Sequence, residues 1–260
     1  MKNRNNVLFV ILACTLMTSC EEGIFRKSGN GISETEVRRV AKFNKIENYT
    51  SIDIIYKKAD TTGLTITADE NLLEYIITKT DNSTLEIRTT DIFDCLDFRT
   101  NPTIVITSPD LESIFSTGSG AFFADSISGK TVNLNMSGSG ILSAGNVNGN
   151  FLKVILSGSG DIKINNASSI SSDVLLSGSG NIELKGQSET SDLKLSGSGK
   201  IHSEHWVLGS AGIIISGSGD IYTHVDNTLT ALISGSGNIF LKGYPKITQT
   251  TSGSGRIINY

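Results

Sequence analysis

Apolar and polar positions alternate around each copy of the phrase SGSG, written TGSG in the first copy, and the second residue after the phrase is apolar every time: Phe122, Leu142, Ile162, Ile182, Ile201, Ile221, Ile239 and Ile257. The residues before the phrase keep the same beat. Met136, Leu156, Leu176, Leu195, Ile215 and Ile233 form a second column, and Leu134, Val154, Val174, Leu193 and Ile213 stand two positions earlier. Period-two alternation marks strands with one buried face. The first glycine of the phrase recurs at Gly118, Gly138, Gly158, Gly178, Gly197, Gly217, Gly235 and Gly253, a period of about 20 residues that signals a solenoid. The predicted fold is all-β: a right-handed parallel β-helix, with two strands per turn pinned to one interior and the hand set by the sterics of parallel crossovers.

The phrase itself suits a corner. Glycine takes the positive φ that a sharp bend requires, and serine is small enough to stack at ~4.8 Å per rung. Ser139, Ser159, Ser179, Ser198, Ser218 and Ser236 are expected to form a hydroxyl ladder. Upstream of Leu111 the repeat stops. Residues 37–110 are strand-rich, with runs such as SIDIIYKK, GLTITAD, STLEIRTT and TIVITSP, and are expected to cover the first rung and continue the solenoid with longer turns. Only the run Leu72 to Ile77 has a helical pattern, and it is short. The last rung turns polar, with Gln249, Thr251 and Asn259 where earlier rungs carry aliphatic residues, which reads as a solvated cap.

The outward positions next to the Ile column read Phe123, Ser143, Lys163, Glu183, His202, Tyr222, Phe240 and Ile258. Lys163 and Glu183 are placed to pair. Tyr222, Phe240 and Ile258 line up as an apolar stripe on adjacent rungs, and Ile155, Leu175, Ile214 and Leu232 point outward from the preceding strand. Apolar residues in a row on an outer surface mark a partner, a ligand or another part of the chain. Tyr222, Phe240 and Ile258 are therefore the candidate binding surface, with aromatic rings suited to a protein or to a sugar ring.

The beginning of the chain obeys other rules. MKNRNNVLFVILACTLMTSC has a basic start, an apolar run from Val7 to Leu16 and small residues leading into Cys20, the pattern of a secretory signal. Met17 to Cys20 resemble a bacterial lipobox, which makes Cys20 the candidate lipidated first residue. Residues 1–19 are then a lipoprotein signal peptide, 20–36 a tether, 37–110 the strand-rich part and 111–260 the SGSG-repeat β-helix. Removing Lys2 and Arg4 with the signal takes the formal charge from −4 to −6. No basic stripe remains to release counterions from phosphates, so nucleic acid is not an expected partner. With Cys14 in the signal and Cys20 acylated, Cys95 is expected to be an unpaired, buried thiol.

Sharper chemistry fits less well. A dinucleotide fingerprint needs a helix after its glycines, and calcium-binding β-rolls need a nine-residue period. Asp91, Asp94 and Asp97 in TTDIFDCLDF read as a loop. Glu204, His205 and His224 are weak metal candidates, because Lys185 and Lys242 fall in the same column and a charge ladder Lys185–Glu204–His224–Lys242 accounts for them without an ion. No metal, cofactor or catalytic residue is assigned.

The phrase DENLLEYIITKTDNSTLEIRT (Asp69 to Thr89), followed by TIVITSPDLESIFSTGSG and the repeated GSGNI and GSGDI, resembles the head GIN domain family of auto-transporter adhesins, common as lipoproteins of Bacteroides-like bacteria. The resemblance spans residues 37–260 and implies a β-helix with an adhesin-like role. Glu21 and Glu22 after the lipid site resemble a signal for export to the outer face of such cells. The expected protein is an outer-membrane lipoprotein, facing the periplasm or the cell surface. It binds a glycan or a surface protein without catalysis, is held to the membrane through Cys20, and has homo-oligomers as an open state. A glycan-active β-helix enzyme and a structural, self-associating lipoprotein are the alternatives.

Overall fold

The structure, a computed structural model, describes residues 26–90 and 95–260. The expectations for the signal, for Cys20 and for Asp91 and Asp94 lie outside the described residues. Six long strands, Ala121–Gly138, Ile141–Gly158, Asp161–Gly178, Asn181–Gly197, Lys200–Gly217 and Asp220–Gly235, each run a full turn of a parallel β-helix. Each bends twice, so its leading residues lie in one sheet, its trailing residues in a second, and a short middle segment closes the third side.

The front sheet begins with Ser33–Arg38, Gly63–Asp69, Thr103–Ser108 and Asp53–Lys58. It continues through the leading parts of the long strands and ends with Ile239–Lys242 and Ile257–Asn259. The back sheet runs from Ile76–Asp81, Thr84–Thr89, Lys45–Asn48 and Ser113–Gly118 through the trailing parts to Lys246–Gly253. Pairing is parallel along the repeat, and the antiparallel pairs sit at the N-terminal end, where Ser33–Arg38 and Gly63–Asp69 extend the front sheet and Ile76–Asp81 the back sheet.

The interior follows the sequence columns. Phe122, Leu142, Ile162, Ile182, Ile201, Ile221 and Ile239 are buried in register, as are Met136, Leu156, Leu176, Leu195, Ile215 and Ile233; Ile257, on the last rung, is half-buried. Each buried side chain of this size contributes about 1.5–3 kcal/mol before chain entropy. At the corner the hydroxyl ladder does not form. The serine side chains are exposed, and the rungs are joined by backbone instead: Ser179 and Gly180 N–H both donate to the Gly158 carbonyl, at 3.0 and 3.1 Å. Gly178 has φ 132° and a Cβ there would strike the Gly158 carbonyl oxygen, so both the bend and the rung spacing require glycine.

The N-terminal end is held by polar contacts that have no counterpart in the repeat. The buried Asp69 carboxylate accepts hydrogen bonds from Gly31 N–H at 2.7 Å, Arg99 N–H at 3.0 Å, Thr100 N–H at 3.0 Å and the Thr100 hydroxyl at 2.8 Å. Burial pushes its pKa up, but the donors from Thr100, Gly31 and Arg99 outweigh that and hold it below the ordinary value. Gly29 lies against this carboxylate so closely that a Cβ would overlap it. Residues 26–36, assigned to a tether from sequence, are thus part of the fold: Arg26–Ser28 pairs with Cys95–Asp97 and Ser33–Arg38 is the outermost front strand. The Leu72 region is a short 3-10 helix, Glu70–Tyr75, that buries Leu72 and Leu73.

Candidate contact surface

The front sheet places the outward residues in one continuous column. Cross-strand register links Val37, Thr65, Val105, Ile55, Phe123, Ser143, Lys163, Glu183, His202, Tyr222, Phe240 and Ile258. From Thr65 to Phe240 each member alternates with buried residues on either side, as the pleat demands, whereas Val37 and Ile258 at the two ends do not. The three candidate residues are neighbours at the C-terminal end of this column, each half-buried. Sequence reading found the part from Phe123 onward. It missed Ile55, Val105 and Val37 because those strands lack the repeat and two of their pairings are antiparallel.

The aromatic rings stack along the helix axis. His202 and Tyr222 lie 4.8 Å apart with planes 10° from parallel, and Tyr222 and Phe240 lie 4.6 Å apart at 7°. Tyr260 meets Phe240 edge-on at 6.5 Å. Burial, with the Glu204 carboxylate nearby, raises the Tyr260 phenol. Because each face of Tyr222 is covered by a neighbouring ring, the surface offers ring edges to solvent. Stacking on a sugar, which needs a free π-face, is not what this arrangement presents.

Below the aromatic stack the column is charged. Glu183 pairs with Lys185 at 2.9 Å, and that hydrogen bond, helped by Lys163 and His202, holds its pKa below the ordinary value. The expected charge ladder through Lys185, Glu204, His224 and Lys242 is interrupted by bulges. Register shifts set Lys185 beside His205 and His224 beside Val207, while Glu204 turns to His202 at 3.6 Å and His224 to Asp226 at 3.3 Å. Glu204, His205 and His224 do not converge, and the described residues contain no cluster of three metal-binding side chains. The bulge accommodates Trp206, fully buried in register with Gly186.

On the back sheet, Ile155, Leu175, Ile214 and Leu232 form a second outward column, broken by Lys194 between Leu175 and Ile214. The third side carries an open trough of about 760 Å³ edged by Ser128, Asn148, Ser168 and Gln187. Asp97, read from sequence as part of a loop, closes the strand Cys95–Asp97 and pairs with Arg26 at 2.8 Å. Cys95 is disulfide-bonded, which corrects the expectation of an unpaired thiol. That expectation rested on giving Cys14 to the signal and Cys20 to a lipid, which left no second thiol.

The sequence model of the family described as "Putative auto-transporter adhesin, head GIN domain" matches residues 42–245. A crystal structure described as a "Putative lipid binding protein" from Parabacteroides distasonis is 30% identical over 90% of this chain and 99% of its own, with a TM-score of 0.85. A "putative adhesin" from Parabacteroides merdae is 25% identical, covering 91% of this chain and 99% of its own at a TM-score of 0.86. Another from Bacteroides fragilis, 22% identical over 90% and 99% of the two chains, shares the fold at a TM-score of 0.67. No curated protein matches the chain.

Proposed function

The chain belongs to the head GIN domain family, and from that premise we propose that it is a non-catalytic binding protein of the cell envelope whose contact surface is the outer face of the front sheet. The observation that carries this reading is the stack of half-exposed rings at Tyr222 and Phe240, continued by Ile258. These large apolar side chains lie outside the core, which the inward columns already fill. Binding is therefore external. The covered ring faces favour a protein partner over a glycan. The buried carboxylate of Asp69 is engaged by four donors, an arrangement suited to a clamp and not to proton transfer.

Attachment to the outer membrane through acylated Cys20 belongs to the same reading, with Glu21 and Glu22 supporting exposure at the cell surface. Cys20→Ala should release the protein from the membrane fraction. The only other cysteines of the chain are Cys14 and Cys20, so acylation of Cys20 and a Cys20–Cys95 disulfide exclude each other. The intact mass of the mature chain decides between them: a diacylglyceryl adduct on Cys20 supports the anchor, and an unmodified chain in the soluble fraction refutes it.

The surface is tested with beads carrying the protein, scored for adhesion to one another, to envelope proteins and to a glycan array. Tyr222→Ala with Phe240→Ala should abolish adhesion, while Ile214→Ala with Leu232→Ala on the back sheet should leave it intact. Equal loss from both pairs, or loss from the back-sheet pair alone, contradicts the assignment.

A further inference from the structure

Numbered from the N-terminal edge of the front sheet, the outward column is self-complementary when read in reverse. Its centre lies between Lys163 and Glu183, on adjacent strands. Moving outward from that centre, Ser143 stands opposite His202, Phe123 opposite Tyr222, Ile55 opposite Phe240 and Val105 opposite Ile258. Charge is matched with opposite charge, a hydroxyl with an imidazole, and apolar groups with apolar groups. Resting on the reading of this face as a contact surface, we propose that its partner is a second copy of the chain, packed front sheet to front sheet about a two-fold axis that runs parallel to the strands between the Lys163 and Glu183 rungs.

A two-fold interface is isologous, so every contact occurs twice. Lys163 of each copy then faces Glu183 of the other. The flanking outward columns fit the same axis at most positions: Asp161 stands opposite Asn181, Thr103 opposite Arg256 and Asp125 opposite His224, while the exposed Ile141 falls opposite Lys200. Lys57 and Lys242 are the one like-charged pair, and both are exposed. Ten strands at ~4.8 Å and five residues at ~3.3 Å give a face of about 48 Å by about 16 Å. That is on the order of 800 Å² from each partner, the size of a standard stable interface. Within one chain Glu183 is already paired with Lys185, so the Lys163 ammonium is the group that gains an ion pair across the axis. The exposed Phe123 is 45% accessible in the single chain and is covered by Tyr222 of the other copy.

Sedimentation velocity of the purified full chain, over a concentration series in a density-matched detergent, tests this directly. A reversible monomer–dimer equilibrium is expected. Lys163→Glu alone and Glu183→Lys alone should each weaken the dimer by about ten-fold or more, because each sets two like-charged pairs against one another. Mixing the two single variants should restore a heterodimer, since their charges are then opposite at both pairs, and the double variant should recover self-association. Circular dichroism establishes that each variant is folded. A chain that stays monomeric at every concentration, a dimer indifferent to the single reversals, or a mixture that associates no better than its components overturns the proposal. If the chain is monomeric while Tyr222→Ala with Phe240→Ala still abolishes adhesion, the contact surface stands with a different partner. If that pair also leaves adhesion unchanged, the contact surface falls with it.

Discussion

The repeat and the N-terminal strands reach the same cross-section by different means. In the repeat every rung solves the same packing problem with the same residues: an inward aliphatic pair, a glycine corner and backbone bonds to the rung before. In the N-terminal part each strand is a separate case. The chain reverses direction at Gly63–Asp69 and again at Ile76–Asp81, and a single buried carboxylate ties residues 31, 99 and 100 together. A solenoid end is an open edge that invites further strands. The irregular end closes that edge with antiparallel strands, which a strict repeat cannot do. Uniformity stabilises the shaft, and irregularity ends it.

The largest effect is expected where the repeat is least forgiving. Gly178→Val adds a Cβ against the Gly158 carbonyl oxygen at a φ of 132° and should cost about 4 kcal/mol or more, read from denaturant unfolding. Because each rung contacts only its neighbours, hydrogen exchange should accelerate around the rungs of residues 158–197 more than in the strand Asp53–Lys58. Uniform acceleration over the whole chain would show that the two regions unfold as one.

A smaller and pH-dependent effect is expected at the other end. Asp69→Asn replaces one acceptor oxygen by an NH2 group that must face either the Gly31 N–H or the three donors at the other oxygen, and should cost about 3 kcal/mol. The folded pKa of Asp69 is depressed, so its contribution is fully present above the unfolded value near 4 and is lost as pH falls through the folded value. Acid unfolding followed by circular dichroism should be flatter below about pH 4 in the variant than in the wild type. An identical acid limb in both would remove Asp69 from the account of how that end is held.

The smallest effect belongs to the surface of the shaft. Glu183 and Lys185 pair at 2.9 Å with both side chains about two-fifths exposed, and Lys185→Ala should leave the melting temperature unchanged within error. A fall of several degrees would show that outward ion pairs, and not the inward columns, set the stability of the repeat.

Legibility in the sequence follows the same division. The columns through Ile162, Ile182 and Ile201, and the outward stripe at Tyr222 and Phe240, could be placed by counting because the period is nearly constant. Trp206 and the bulges beside it displaced Glu204 from the column that counting gave it, since a register shift leaves no mark in a hydrophobic pattern of period two. Asp69 stood unremarked inside the family phrase: nothing in a sequence shows that one aspartate among many is buried against four donors. Ile55 and Val105 were invisible as members of the front column because their strands lie outside the repeat and stack out of chain order, with Thr103–Ser108 between Gly63–Asp69 and Asp53–Lys58. The disulfide at Cys95 was missed because counting had assigned Cys14 to the signal and Cys20 to the lipid, leaving Cys95 alone.

The claim that the irregular end and the repeat share one self-pairing face is tested most directly by a double-mutant cycle on self-association with Ile55→Ala and Phe240→Ala. Within one chain these residues are seven strands apart, about 34 Å, so their effects on a one-sided surface should add. Across the proposed two-fold they touch. The account predicts that the double variant loses little more affinity than either single variant, a coupling of about 1 kcal/mol read from sedimentation isotherms. Strict additivity of the two losses, or no loss from Ile55→Ala, would contradict it.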